Sequence, residues 1–137
     1  MIVKEAMHNI TKVPAYSSVT QIAAIMSSYS IGSVLIEENQ NTIGIVTERD
    51  ILNKVVAAGK NSDKTIVKEI MTSPLITIDV NSPIEEASYL INKHKTRRLI
   101  VTENEKIVGI ITARNIAESL RFSFIKRRSE YERANYR

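Results

Sequence analysis

Gly44-Ile45-Val46-Thr47-Glu48-Arg49-Asp50 is written twice in this chain. Sixty-five residues on, Gly109-Ile110-Ile111-Thr112-Ala113-Arg114-Asn115 keeps Gly, Thr and Arg in place and exchanges Asp for its amide. Two copies in 137 residues make an internal repeat, which constrains architecture before any other signal. Apolar residues run into a Thr, and a helical pattern of Ile51, Leu52, Val55 and Val56 follows, so the stretch reads as a strand-to-helix turn. Thr47-x-x-Asp50 there has the form of a capping box with Asp in place of the usual Glu. A hydroxyl and a carboxylate beside the free amides of a helix start also make a polar site for an anionic or hydroxyl-rich ligand. The two readings are compatible.

Working outward, Val3-Lys4-Glu5-Ala6-Met7 is matched by Val67-Lys68-Glu69-Ile70-Met71, with Gly59 to Lys64 as a polar linker before the second copy. Gly59 suits a left-handed residue just past a helix. Each Met leads to a short extended piece, Ile10 to Val13 and Leu75 to Ile78, and then to a helix. Ser18-Val19-Thr20-Gln21 starts the first helix as a capping box. Ser82-Pro83-Ile84-Glu85 starts the second with Pro at the first helical position. Their apolar faces are Val19, Ile22, Ala23, Met26 and Ile84, Ala87, Ile91, with Leu90 alongside. Two β-rich runs follow in each copy, Val34 to Ile36 with Ile43 to Val46, and Leu99 to Val101 with Ile107 to Ile111, each pair reading as a hairpin. The expected class is therefore α+β, with two β-α-β-β-α repeats at 1–60 and 61–122 packed on each other through their sheets, because one such unit cannot bury both faces of its sheet. Residues 123–137 form a C-terminal helical tail.

Composition excludes several classes. There is no Cys and only two His, His8 and His94, far apart, so disulfide frameworks and metal centres are not expected. Four Gly leave no Gly-rich phosphate loop, and no hydrolase elbow or zinc-protease motif is present, so the expectation is no enzyme. No apolar run has the length of a membrane span and Met1 opens no signal peptide, which reads as cytoplasmic. Between Arg121 and Arg137 six basic residues face two acidic ones, a surplus that equals the whole chain's +4. The body is neutral, and any anionic macromolecular partner belongs to the tail.

On these residues, together with Arg97-Arg98-Leu99-Ile100-Val101 in the second copy, the chain from 1 to about 122 resembles a tandem pair of CBS domains, also called a Bateman module. The resemblance implies a regulatory module that binds AMP, ATP or a related adenosine ligand in clefts between the repeats, with no cofactor required. The acidic residue of Thr-x-x-Asp, here Asp50 and, as an amide, Asn115, would hold ribose hydroxyls. Thr47 and Thr112 would meet ribose or phosphate. Arg98, with Arg97 beside it, would bind phosphate, helped by Arg49 and Arg114; the first copy departs here, having Gly32-Ser33. Adenine would lie against Ile10, Val13, Ile76 and Ile100. A homodimer and a regulated protein partner are implied as well. The alternatives are a ligand-free assembly module and a nucleic-acid-associated protein using the basic tail. In that tail Ala117, Leu120, Phe124 and Tyr131 share a seam that suits a second subunit.

Overall fold

The computed structural model describes residues 1–135. Its strands and helices run β1 (Lys12–Pro14), α1 (Val19–Tyr29), β2 (Ser33–Glu38), β3 (Asn41–Thr47), α2 (Glu48–Ile51), α3 (Val67–Ile70), β4 (Thr77–Asp79), α4 (Ile84–His94), β5 (Arg98–Glu103), β6 (Lys106–Thr112) and α5 (Ala113–Asn135). Two three-stranded sheets result, β1-β2-β3 and β4-β5-β6. In each the first strand runs parallel to the second, with the helix between as crossover, and the last two strands form an antiparallel hairpin.

The chain divides into two compact units, Ile10–Leu75 and Met1–Asn9 joined with Ile76 onward. The units are thus not the two repeats in order of sequence. The leading segment of each copy belongs to the unit built around the other copy's hairpin. Thr72 exchanges backbone hydrogen bonds with Ile45 at 2.8 and 3.1 Å, and His8 does the same with Ile110 at 2.9 and 3.0 Å. The repeated glycines are explained by this approach. A Cβ on Gly44 would sit 2.5 Å from Met71 Sδ and 3.0 Å from the Thr72 carbonyl; one on Gly109 would sit 2.8 Å from Met7 Sδ and 3.0 Å from the His8 carbonyl. Strand glycine at a close backbone approach is the physical rule, and the repeated Met is the residue that approaches.

Within the Ile10–Leu75 unit, Val19, Ile22 and Met26 of α1 bury against Val34, Ile36 and Val46, with Val67 and Ile70 closing the core. Ala23 is only half-buried. In the other unit Ile84, Ala87 and Ile91 pack on Leu99, Val101 and Ile111, and Val3 is fully buried among them.

Helix α1 begins as the sequence predicts: Gln21 N–H donates to Ser18 Oγ at 3.1 Å and Ser18 N–H to Gln21 Oε1 at 3.0 Å. Helix α4 begins one residue later than expected. Pro83 is extended (φ −65°, ψ 150°) and caps from outside, with no side-chain cap. The reason is tertiary: Val3 N–H donates to the Ser82 carbonyl at 2.9 Å, and Ile84 N–H donates to the Met1 carbonyl at 3.1 Å, so the N-terminal segment satisfies this helix start. The helix expected after Asp50 is also modified. Four residues of α2 pass into a π-helical turn over Leu52–Val56, in which only Val55 is buried, and Leu52 and Val56 face out. Gly59 takes the left-handed conformation (φ 69°) beyond it.

Both hairpins turn through two residues of positive φ, Asn39-Gln40 (50°, 66°) and Asn104-Glu105 (49°, 67°). This is the type I′ geometry that matches strand twist, and Asn tolerates it at the first position. Helix α5 runs unbroken to Asn135; residues 136–137 of the expected tail lie outside the described residues.

Candidate functional site

The strand-to-helix turn is built twice in the same way. Strand register sets Ser33 across from Thr47 and Arg98 across from Thr112. The first helical amide is then bonded to the facing strand's approach: Glu48 N–H donates to the Gly32 carbonyl at 3.1 Å, and Ala113 N–H to the Arg97 carbonyl at 2.9 Å. Each Thr serves as N-cap. Asp50 N–H donates to Thr47 Oγ1 at 3.2 Å and Asn115 N–H to Thr112 Oγ1 at 3.0 Å. The acidic or amide side chain returns the bond: Thr47 N–H donates to Asp50 Oδ2 at 2.9 Å, and Thr112 N–H to Asn115 Oδ1 at 3.0 Å.

Beyond this shared box the turns diverge. Asp50, with 13% of its side chain exposed, has a second oxygen, and Lys54 Nζ reaches it at 3.0 Å. Thr72 Oγ1 approaches the same Oδ1 at 3.4 Å. Lys54 also donates to the Ile70 carbonyl at 2.9 Å, which ties the turn to the end of α3. Oδ2 therefore serves the turn itself, accepting from Thr47 N–H and from Thr47 Oγ1 at 3.1 Å. Oδ1 serves the side chains of Thr72 and Lys54, the latter 44% exposed. The position equivalent to Lys54 in the second copy is Ser119, so no cation stands four residues after Asn115.

The remaining expected residues are distributed as follows. Arg98 is half-buried beside Thr112, so Arg98, Thr112 and Asn115 come together at one end of the β5–β6 hairpin. Arg97 is exposed. Arg49 is exposed in the first turn of α2; Arg114 is exposed and pairs with Glu118 at 3.0 Å, which offsets its unfavourable place in the first turn of α5.

The apolar candidates for adenine differ in placement. Val13, 3% exposed, points into the core of its own unit beside Val34 and Ile36. Ile76 packs against the core of its unit. Ile100 is 2% exposed, but strand alternation turns it to the face opposite Leu99 and Val101. Ile10 is half-buried and outside both cores.

Two contributors escape the motif. Lys54 carries a legible signal, a cation four residues after an acid on a helix. Thr72 carries none, since only the tertiary approach of residues 70–72 brings it to Asp50. Among the described residues no cluster of three metal-ligating side chains occurs, and no helix is long and apolar enough to cross a membrane.

The CBS domain family profile matches residues 3–57 and 67–121. An uncharacterized protein of Methanopyrus kandleri is 42% identical over 111 residues, which is 80% of this chain and 56% of that protein; the chain thus spans about half of that relative. A crystal structure of an uncharacterized conserved protein from Pyrococcus horikoshii superposes with TM-score 0.82 at 30% identity, covering 88% of this chain and 92% of the other. A hexameric CBS-CP12 protein from bloom-forming cyanobacteria superposes with TM-score 0.80 at 27% identity, over 85% of this chain and 66% of that one.

Proposed function

Since the chain belongs to the CBS-domain family, with two such domains in tandem, we propose that it is a regulatory module that binds an adenine nucleotide of the AMP or ATP type. The observation that carries the reading is the division of labour at Asp50. One carboxylate oxygen holds the turn, while the other faces exchangeable partners and can accept from the two hydroxyls of a ribose in their place. At the second turn, Arg98, across the hairpin from Thr112, is the planar cation suited to a phosphate. The second turn offers a neutral amide to a hydroxyl and is the weaker of the two. Its relatives are mostly CBS-domain proteins without enzymatic names, and the module is read as non-catalytic, working in an assembly of chains in the cytoplasm.

Titration calorimetry with AMP and with ATP tests this. Binding with dissociation constants around the micromolar scale, about 8 kcal/mol, is expected for a few charged contacts in an open site. Absence of heat for both nucleotides up to millimolar concentration would remove the proposal, and release of ADP, AMP or phosphate from ATP during the titration would replace it with an enzyme.

A second reading, an assembly module without ligand, is favoured by the completeness of the Thr47 cap. Thermal denaturation separates the two: a nucleotide at 100 times its dissociation constant adds about 2.7 kcal/mol, whereas an inert scaffold does not respond.

A further inference from the structure

Helix α5 leaves a stripe of apolar surface uncovered. Leu120, Phe124 and Tyr131 are 50%, 68% and 68% exposed. With Ala117, Arg127 and Ala134, also exposed, they follow one another at alternating spacings of three and four, the seam of a heptad. The order of sizes along this seam is small, large, large, large, large, small, and it reads the same from either end. The pairs Ala117 with Ala134, Leu120 with Tyr131 and Phe124 with Arg127 are all centred on one point, between Ile125 and Lys126.

A seam with this symmetry meets itself in a single register when turned end for end, as a two-fold interface requires. We propose that α5 pairs in antiparallel orientation with α5 of a second copy of this chain, in that register. The pairing is independent of the nucleotide reading.

Arg127 decides the orientation. In an antiparallel pair its guanidinium lies against Phe124 of the second copy, a cation over an aromatic ring. In a parallel pair it would meet the second copy's Arg127 inside the seam, like charge against like charge. Four aromatic rings, each with about two thirds of roughly 150–250 Å² still open, with the leucines and arginine stems added, bring the buried area to about 600–1,000 Å², the size of a weak, reversible interface.

The flank of the pair adds a signature. It sets Arg121 beside Arg128 of the second copy, and Arg128 is already neutralised in part by Glu132 of its own helix at 3.2 Å. Salt screens this like-charge contact, so the association strengthens as ionic strength rises. Binding of the same basic helix to nucleic acid would do the opposite.

The chain has no cysteine, which makes the test direct. Leu120→Cys and Tyr131→Cys are prepared in the full chain, both at exposed positions that leave the fold intact, and are oxidised mildly, each alone and as an equal mixture. The antiparallel register expects about tenfold more disulfide-linked dimer in the mixture than in either sample alone. The yield should rise with salt, and Phe124→Asp added to both chains should abolish it. Leu120→Cys linking to itself as well as the mixture does would overturn the orientation, and no mixed product at any salt would overturn the pairing. Absence of that product, together with retardation of a short DNA duplex that weakens with salt, would give the face to nucleic acid instead.

Discussion

Replacing Asp50 by Ala removes a cap and the proposed ligand contact together, and so separates nothing. Replacing it by Asn does, because the second copy already shows what an amide achieves there. Asn115 Oδ1 accepts from Thr112 N–H at 3.0 Å and keeps the box closed. Asp50→Asn should therefore leave stability within about 0.5 kcal/mol, whereas Asp50→Ala should cost about 1 kcal/mol, read by urea denaturation. Both should weaken AMP binding by about 1.5–3 kcal/mol, the difference a charged acceptor makes. Unchanged affinity for AMP in Asp50→Asn would leave the turn with its capping role alone. A separate ion pair, Lys68 with Glu38 at 2.8 Å, raises the Lys68 pKa above 10.5 chiefly through that hydrogen bond. A raised pKa means a contribution present below pH 10.5 and lost as pH climbs through the folded value, so wild type and Lys68→Met should converge in stability at high pH. The spacing Thr47-x-x-Asp50 was legible because a cap is a local event. Gly44 was legible only as a repeated letter, because its cause, Met71, arrives through tertiary structure.

At the scale of elements, hairpins and amphipathic helices follow from period and turn residues, since their hydrogen bonds close within a few residues. What periodicity cannot carry is where a distant segment takes over a helix start, as Met1 and Val3 do around Pro83, or where a short helix loosens into a π turn. The two tight turns expose a stored cost that sequence alone understates. Gln40 and Glu105 occupy positive φ, 66° and 67°, where type I′ turns prefer Gly. Gln40→Gly and Glu105→Gly should each stabilise their hairpins by about 0.5–1 kcal/mol net of the extra freedom Gly has when unfolded. Urea midpoints measure this, and a fall in either would mean that the side chain makes a compensating contact.

For the whole molecule, the repeat period and the compact unit are different objects. The period begins at the N-terminus, yet Val3 is fully buried in the core that Ile84, Leu99 and Ile111 build, and His8 pairs with Ile110. A sequence read for periods places 1–60 together because similarity is all it can compare; which hairpin a leading segment docks on is settled by packing. The consequence can be measured. Deleting Met1–Asn9 removes Val3, worth roughly 1.5–3 kcal/mol of burial, and the backbone bonds to Val80, Ser82 and Ile110 with it. If the first copy were the unit that owns this segment, amide protection would fall in β2 and β3. The packing demands the reverse: exchange should accelerate in β5, β6 and the start of α4, while Val34, Ile36 and Val46 stay protected as long as their own unit, closed by Val67 and Ile70, remains folded. Loss of protection confined to β2 and β3 would return the segment to its own repeat. Equal loss in both hairpins would mean that the two units unfold as one.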